Sequence, residues 1–210
     1  MPELPEVESV RRGLEPYVVG RSFAAVEVLH PRANRGQEAP LSALLVGRKI
    51  AAVARRGKFM WLEFADEDHT DPARDVLFIH LGMSGQVRIG EVDSPHVRIA
   101  AVLDDATRLS FVDQRTFGYW RLGPWLTMAH IAPDPLETDF DLTAAGRRLR
   151  AKRTAVKVAL LDQTVLSGVG NIYADEALWA AQISPLKKAS ALRQRDAVAV
   201  TVSYTHLRAH

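Results

Sequence analysis

No cysteine occurs among the 210 residues, which excludes disulfides and any thiolate metal centre built by this chain alone. No apolar run approaches the roughly 20 residues that a membrane-spanning helix requires. No basic segment leads into an apolar one near the start, so nothing reads as a secretory signal. The expectation is a cytoplasmic protein without a membrane partner. Internal repeats and low-complexity stretches are also missing. What remains is an ordinary globular composition, 47% hydrophobic and 25% charged, enough for a core in one large or two small domains.

Charge is nearly balanced overall, at +2, but unevenly placed. Leu142–Leu161 holds six basic residues (Arg147, Arg148, Arg150, Lys152, Arg153, Lys157) and no acidic one. Arg32–Lys58 holds seven basic residues against Glu38. Acidic residues gather in Asp66–Asp75 and Asp134–Asp141. A solvated helix face produces such runs, and so does a surface that binds a polyanion.

The opening Met1-Pro2-Glu3-Leu4-Pro5-Glu6 carries the sharpest chemistry. Once the initiator methionine is removed, Pro2 presents a secondary amine. An α-amino group titrates near roughly 7.7–8.0, so part of it is a free nucleophile at neutral pH. Such an amine attacks a carbon such as an aldehyde or a sugar C1′ and forms a charged Schiff base, with Glu3 adjacent to donate or accept a proton. The same residues also suit a plain helix start: Pro5 in the first turn, carboxylates at the N-terminus, and Val7, Val10 and Leu14 as an apolar stripe ending before Gly20.

Short apolar runs with turn signals follow: Phe23–Leu29, Phe59–Phe64, Val76–Ile79, Gln86–Ile89, His96–Leu103 and Arg108–Val112. They predict a sandwich or barrel rather than a parallel sheet. The prolines of Ile131-Ala132-Pro133-Asp134-Pro135-Leu136 mark a domain junction. Beyond them the periodicity is helical over Leu142–Leu149, Thr154–Asp162, Tyr173–Ala181 and Ala189–Val200. Ser203–His210 breaks the pattern and reads as a non-native tail. His206 and His210 have i, i+4 spacing but no further ligands nearby, so no metal site is expected.

Several stretches suggest nucleic acid. Lys58 follows Gly57 before a strand, where a lysine is either solvated or aimed into a cleft as a proton donor. Met83 lies between two glycines in His80-Leu81-Gly82-Met83-Ser84-Gly85, either as a core filler or as a wedge for a base stack. Asp113-Gln114-Arg115-Thr116-Phe117-Gly118 adds a guanidinium fork and a flat ring. In Gly168-Val169-Gly170-Asn171-Ile172-Tyr173, Asn171 is a candidate N-cap, and the helix start it would cap is a candidate phosphate site.

Together PELPEVE, Gly57-Lys58, HLGMSG, DQRTFG and GVGNIYADEAL resemble the formamidopyrimidine-DNA glycosylase family over residues 1 to about 188. The resemblance implies an α+β multidomain fold: an N-terminal catalytic β-sandwich with a leading helix (1–131), then an all-α helix-two-turn-helix DNA-binding domain (132–202), with 203–210 as the tail. It implies a monomeric bacterial enzyme, associated with the nucleoid, that acts on damaged double-stranded DNA. The reaction implied is excision of oxidised purines such as 8-oxoguanine and formamidopyrimidines, then strand cleavage by β,δ-elimination. By the same resemblance Pro2 is the Schiff-base nucleophile, Glu3 the proton donor that helps open the sugar, and Lys58 the proton donor in β-elimination. Met83, Arg115 and Phe117 fill the gap left by the everted nucleotide. His96, Arg115, Lys152, Asn171 and His80 hold the DNA, while Glu6 and Lys157 belong to the lesion pocket. The family's zinc finger, with its four cysteines and an arginine, and its lesion-capping loop have no counterpart here, so no cofactor is expected. Thr116 stands where many members carry a second arginine. Two other readings stay open: a DNA-binding fragment without full catalysis, and an endonuclease VIII-like glycosylase for oxidised pyrimidines.

Overall fold

The computed structural model describes Pro2–Leu207, with side chains described as far as Thr205. The spacing of His206 and His210 therefore rests on side chains outside those described. Contacts divide the chain into two compact units. The first comprises residues 1–2, 6–55 and 59–129; the second comprises 3–5, 56–58 and 130–210. Two short segments, Glu3–Pro5 and Arg56–Lys58, thus pack within the helical unit although they lie far from it in sequence. Nothing in their hydropathy signals this.

The first unit is a β-sandwich with a leading helix. Helix α1 (Leu4–Val18) begins where Pro5 suits a first turn, and ends before Gly20. Of the expected stripe, Val7 and Leu14 are buried and Val10 is partly buried against the same core, and Val18 extends it. Strands β1 (Phe23–Val28), β6 (Val97–Leu103), β7 (Arg108–Val112) and β5 (Gln86–Ile89) form one four-stranded sheet, in the order β1-β6-β7-β5. Strands β2 (Ile50–Arg56), β3 (Phe59–Phe64), β4 (Asp75–His80) and β8 (Tyr119–Pro124) form the other, in that order. The alternation read in β6 buries Ile99, Ala101 and Leu103. These join Phe23, Leu62, Leu77, Phe111 and Trp120 in one core fed by both sheets. Trp120, fully buried, lies 6.4 Å from Phe23 and 6.2 Å from Phe111 between ring centroids.

Two elements of this unit escape the periodicity. Strand β8 ends in Gly123-Pro124 and so resembles a loop, yet an edge strand tolerates a terminal proline. Helix α2 (Leu41–Leu45) is a single turn held by the burial of Leu41 and Leu45.

The second unit packs α3 (Leu142–Arg150), α4 (Val156–Leu161), α5 (Asn171–Ala180) and α6 (Gln194–Leu207) around a separate core. Asp141 caps α3 by accepting from the Ala144 N–H at 2.9 Å. Two of the six basic residues serve this unit's own backbone. Arg148 Nε donates to Val165 O at 2.9 Å, and Arg150 Nε to Leu192 O at 2.8 Å. The break expected after Val202 does not occur. Helix α6 continues to Leu207, with Tyr204 fully buried and set edge-on to Tyr173 at 6.1 Å. The segment's polar residues hide the pattern, but they satisfy the helix itself. Ser203 and Thr205 hydroxyls donate to carbonyls four residues back.

Replacing Tyr204 by alanine would empty a core position, so Tyr204→Ala is expected to lower stability by about 3 kcal/mol. Urea unfolding followed through helical signal checks this. A value near zero would mean that the end of α6 contributes nothing to the core.

Candidate active site and nucleic-acid interface

Every α-helix begins with backbone N–H groups that have no partner within the helix. At the start of α5 the cap residue is Gly170, which has no side chain to offer. Asn171, the expected cap, is instead the first helical residue and is exposed. The acceptor comes from Glu3, 167 residues upstream of Gly170. The Glu3 carboxylate accepts from Gly170 N–H at 2.8 Å, Ile172 N–H at 3.0 Å and Tyr173 N–H at 3.3 Å. Glu3 is 2% exposed, and Leu4 N–H donates to Gly168 O at 3.1 Å beside it. A negative group at a helix N-terminus is also favoured by the helix dipole. Gly170 is required for space: a Cβ there would fall on the Glu3 carboxyl group.

Lys58 belongs to the same unit. Burial pushes its ammonium below the ordinary 10.5, and the charge of Glu3 offsets only part of that shift. The turn before it is fixed by a residue that sequence reasoning does not single out. Asp134, fully buried, accepts from Gly57 N–H at 2.7 Å and from Leu136 N–H at 2.8 Å. Glu137 in turn accepts from Asp134 N–H at 3.2 Å and pairs with Arg56 at 3.1 Å. Gly57 adopts φ +58°, and a Cβ there would meet Ser167 Cβ at 2.6 Å. Pro2 is half-buried and precedes Glu3 in the chain.

The two lysines singled out in this unit, Lys152 as a DNA contact and Lys157 for the lesion pocket, each hold a carboxylate. Lys152 Nζ lies 2.8 Å from Asp162, whose carboxyl is held down at about 2 by that lysine and by Thr164. Lys157 Nζ lies 2.8 Å from Asp175. A phosphate approaching either must compete with its partner.

In the first unit, Met83, Arg115 and Phe117 come together. Met83 is 42% and Phe117 50% exposed, and Arg115 Nη1 donates to Met83 Sδ at 3.5 Å. For large apolar side chains, that exposure argues against a core role. Their organiser is the buried Asp113, which accepts from Ser84 Oγ at 2.6 Å, Gly118 N–H at 2.7 Å and Arg115 N–H at 3.2 Å. His96 joins through its carbonyl, which accepts from Asp113 N–H at 2.9 Å. His80 is stacked on Tyr119 at 5.2 Å, and its Nδ1 accepts from Gly82 N–H at 3.1 Å. Thr116 takes φ +56° and is buried. Glu6 is exposed on α1.

A zinc ion does not fit the described residues. Among the described residues no group of three His, Cys, Asp or Glu is placed to hold a metal.

Comparison with known proteins gives concordant matches. Residues 1–120 match the model of the formamidopyrimidine-DNA glycosylase N-terminal domain, and residues 131–207 that of the family's H2TH domain. A formamidopyrimidine-DNA glycosylase of Corynebacterium aurimucosum is 96% identical over 200 residues, which is 95% of this chain and 71% of that protein. The Lactococcus lactis enzyme, solved non-covalently bound to DNA containing an AP site, superposes with a TM-score of 0.84 at 32% identity. That match covers 99% of this chain and 80% of the other. The MutM (Fpg) protein of Thermus thermophilus gives a TM-score of 0.83 at 36% identity, covering 99% and 75%.

Gly170 has φ −119° and ψ −167°, extended values that alanine adopts freely. Gly170→Ala is therefore expected to act only by dislodging Glu3, costing about 1–3 kcal/mol through unsatisfied buried N–H groups. Urea unfolding measures it, and an unchanged midpoint would show that α5 does not depend on Glu3.

Proposed function

Because the chain belongs to the formamidopyrimidine-DNA glycosylase family, we propose that it excises oxidised purines from duplex DNA and cuts the strand at the resulting abasic site. The observation that carries this reading is the Glu3 carboxylate, seated on the start of α5 by three N–H donors and bonded in sequence to the Pro2 amine. A pre-positioned acid–base group beside a nucleophile is what a covalent glycosylase needs.

In this reading the Pro2 nitrogen attacks C1′ as the damaged base leaves with the C1′–N bond pair, and the nitrogen gives up its own proton to Glu3. Glu3 delivers that proton to O4′ as the C1′–O4′ bond breaks, and this ring opening leaves the iminium between Pro2 and the sugar. The iminium withdraws electrons, so loss of the C2′ proton expels the 3′ phosphate, and Lys58 donates the proton needed in that β-elimination. A lysine with its ammonium destabilised by burial gives up a proton more readily than a solvated one. A second elimination at the 5′ side completes cleavage.

Met83, Arg115 and Phe117 supply the complementary step. A base must leave the stack before its C1′ can be reached, and unstacking costs a few kcal/mol. Two exposed apolar side chains, one of them held by a guanidinium, suit the space that the base vacates. His96, His80, Lys152 and Asn171 would grip the backbone on either side, with Glu6 and Lys157 toward the lesion. Relatives solved with DNA containing an AP site or Fapy-dG bear on the substrate class. The protein is expected to work as a monomer.

Borohydride trapping on abasic and 8-oxoguanine duplexes tests the reading. The intact protein is expected to give a covalent adduct with both, and Pro2→Gly with neither. An adduct carried by a lysine side chain, with the N-terminal nitrogen unmodified, would refute the assigned nucleophile. Lys58→Met is expected to keep trapping abasic DNA while slowing strand cleavage by roughly 10²- to 10⁴-fold. The pH dependence has a definite sign. Only the ammonium form donates, and burial lowers its pKa, so cleavage should fall with rising pH at a point below 10.5. A basic limb at or above that value would contradict the role given to Lys58.

A further inference from the structure

The apolar stripe of α1 buries Val7, Leu14 and Val18, but apolar contact is non-directional. Such a stripe alone leaves a helix free to slide or rotate slightly. A polar cluster next to the stripe supplies direction. Glu8 accepts from Arg55 Nε on β2 at 2.8 Å, from Arg11 Nε at 3.0 Å and from Arg12 Nε at 2.7 Å. The Arg55 side chain is 6% exposed and that of Glu8 14%. Arg11 adds a second tie to the same strand, donating from Nη1 to Val53 O at 3.3 Å, and also pairs with Glu15 at 3.0 Å.

We propose that Glu8 is a positioning residue for the Pro2 amine: its carboxylate bridges α1 to Arg55 on β2 and fixes the helix whose first turn follows Pro2-Glu3. The inference rests on Pro2 being the nucleophile. A buried ion pair adds little net stability over apolar packing of the same volume, so its contribution here is register and orientation. Glu8 lies four positions after Leu4, about one helical turn, so a tilt at Glu8 is passed directly to the start of the helix. Misplacement of a reacting group by about 1 Å can cost a hundredfold in rate. Burial favours the neutral Glu8 carboxyl, but the guanidinium groups of Arg11, Arg55 and Arg12 outweigh it and hold the pKa at about 2. The bridge is therefore charged throughout the range in which an amine nucleophile works.

The test uses Glu8→Gln, Glu8→Asp and Arg55→Lys in the full chain. Single-turnover trapping rate on an abasic duplex is compared with duplex affinity, and with amide exchange in α1. Glu8→Gln is expected to slow trapping on the order of tenfold, leave affinity within about twofold, and speed exchange in α1 but not in β6 or β7. Arg55→Lys should reproduce this, the double variant Glu8→Gln/Arg55→Lys should be no slower than either single one, and Glu8→Asp should recover part of the rate. A wild-type trapping rate in Glu8→Gln overturns the proposal. So does a rate loss matched by lost affinity and faster exchange throughout the first unit, which marks a merely structural role. If the wild-type protein forms no adduct, the amine reading falls and this proposal falls with it. A wild-type adduct with an unimpaired variant removes the positioning role alone.

Discussion

Helix α5 cannot start without an acceptor for its first N–H groups, and its own cap residue, Gly170, provides none. Glu3 meets that need from the other end of the chain. Much of the candidate site depends on this single contact. It anchors the residue adjoining the candidate nucleophile to a rigid helix, and it demands glycine at position 170. It also brings a carboxylate near a lysine whose ammonium burial has already destabilised. A structural necessity of the fold and a chemical necessity of the proposed reaction are met by the same side chain.

The device recurs. Asp134 holds Gly57 N–H, Asp113 holds Gly118 N–H, and Glu3 holds Gly170 N–H, at 2.7, 2.7 and 2.8 Å. Each carboxylate is almost wholly buried, and each fixes a turn that presents candidate functional residues. Buried carboxylates persist only when hydrogen-bonded, so each pairing is obligatory in both directions: the acid needs the amide, and the amide needs the acid. Rigid loops arise in this way without being covered by apolar side chains. That leaves Met83 and Phe117 exposed and available.

The legible parts of the sequence are those with local causes. Alternation in His96–Leu103 and the stripe Val7, Val10, Leu14 correspond to a buried strand face and a buried helix face, because side-chain period alone determines both. Lys58, Met83 and Phe117 stand out by their residue types beside glycines, and Arg115 by its guanidinium in the same segment as Phe117. What stays hidden is non-local. Asp113 and Asp134 look like ordinary turn acids until the loops they hold are seen together. Glu3 as the cap of α5 has no signal within a window of any length, and Asn171 is the natural local candidate. Strand β8 and the end of α6 escape for a different reason. Pro124 and the polar run Ser203-Tyr204-Thr205 imitate loop chemistry, whereas edge position and buried Tyr204 decide their structure.

The central claim is that the amine of Pro2, rather than a lysine amine, joins the sugar. The most direct measurement is peptide mapping of the borohydride-reduced adduct, with protein whose initiator methionine has been removed. Trypsin releases Pro2–Arg11 as one peptide. The account predicts that the deoxyribose remnant travels with that peptide, with the modified atom localised to its terminal nitrogen. A remnant found instead on the peptide containing Lys58 would contradict it.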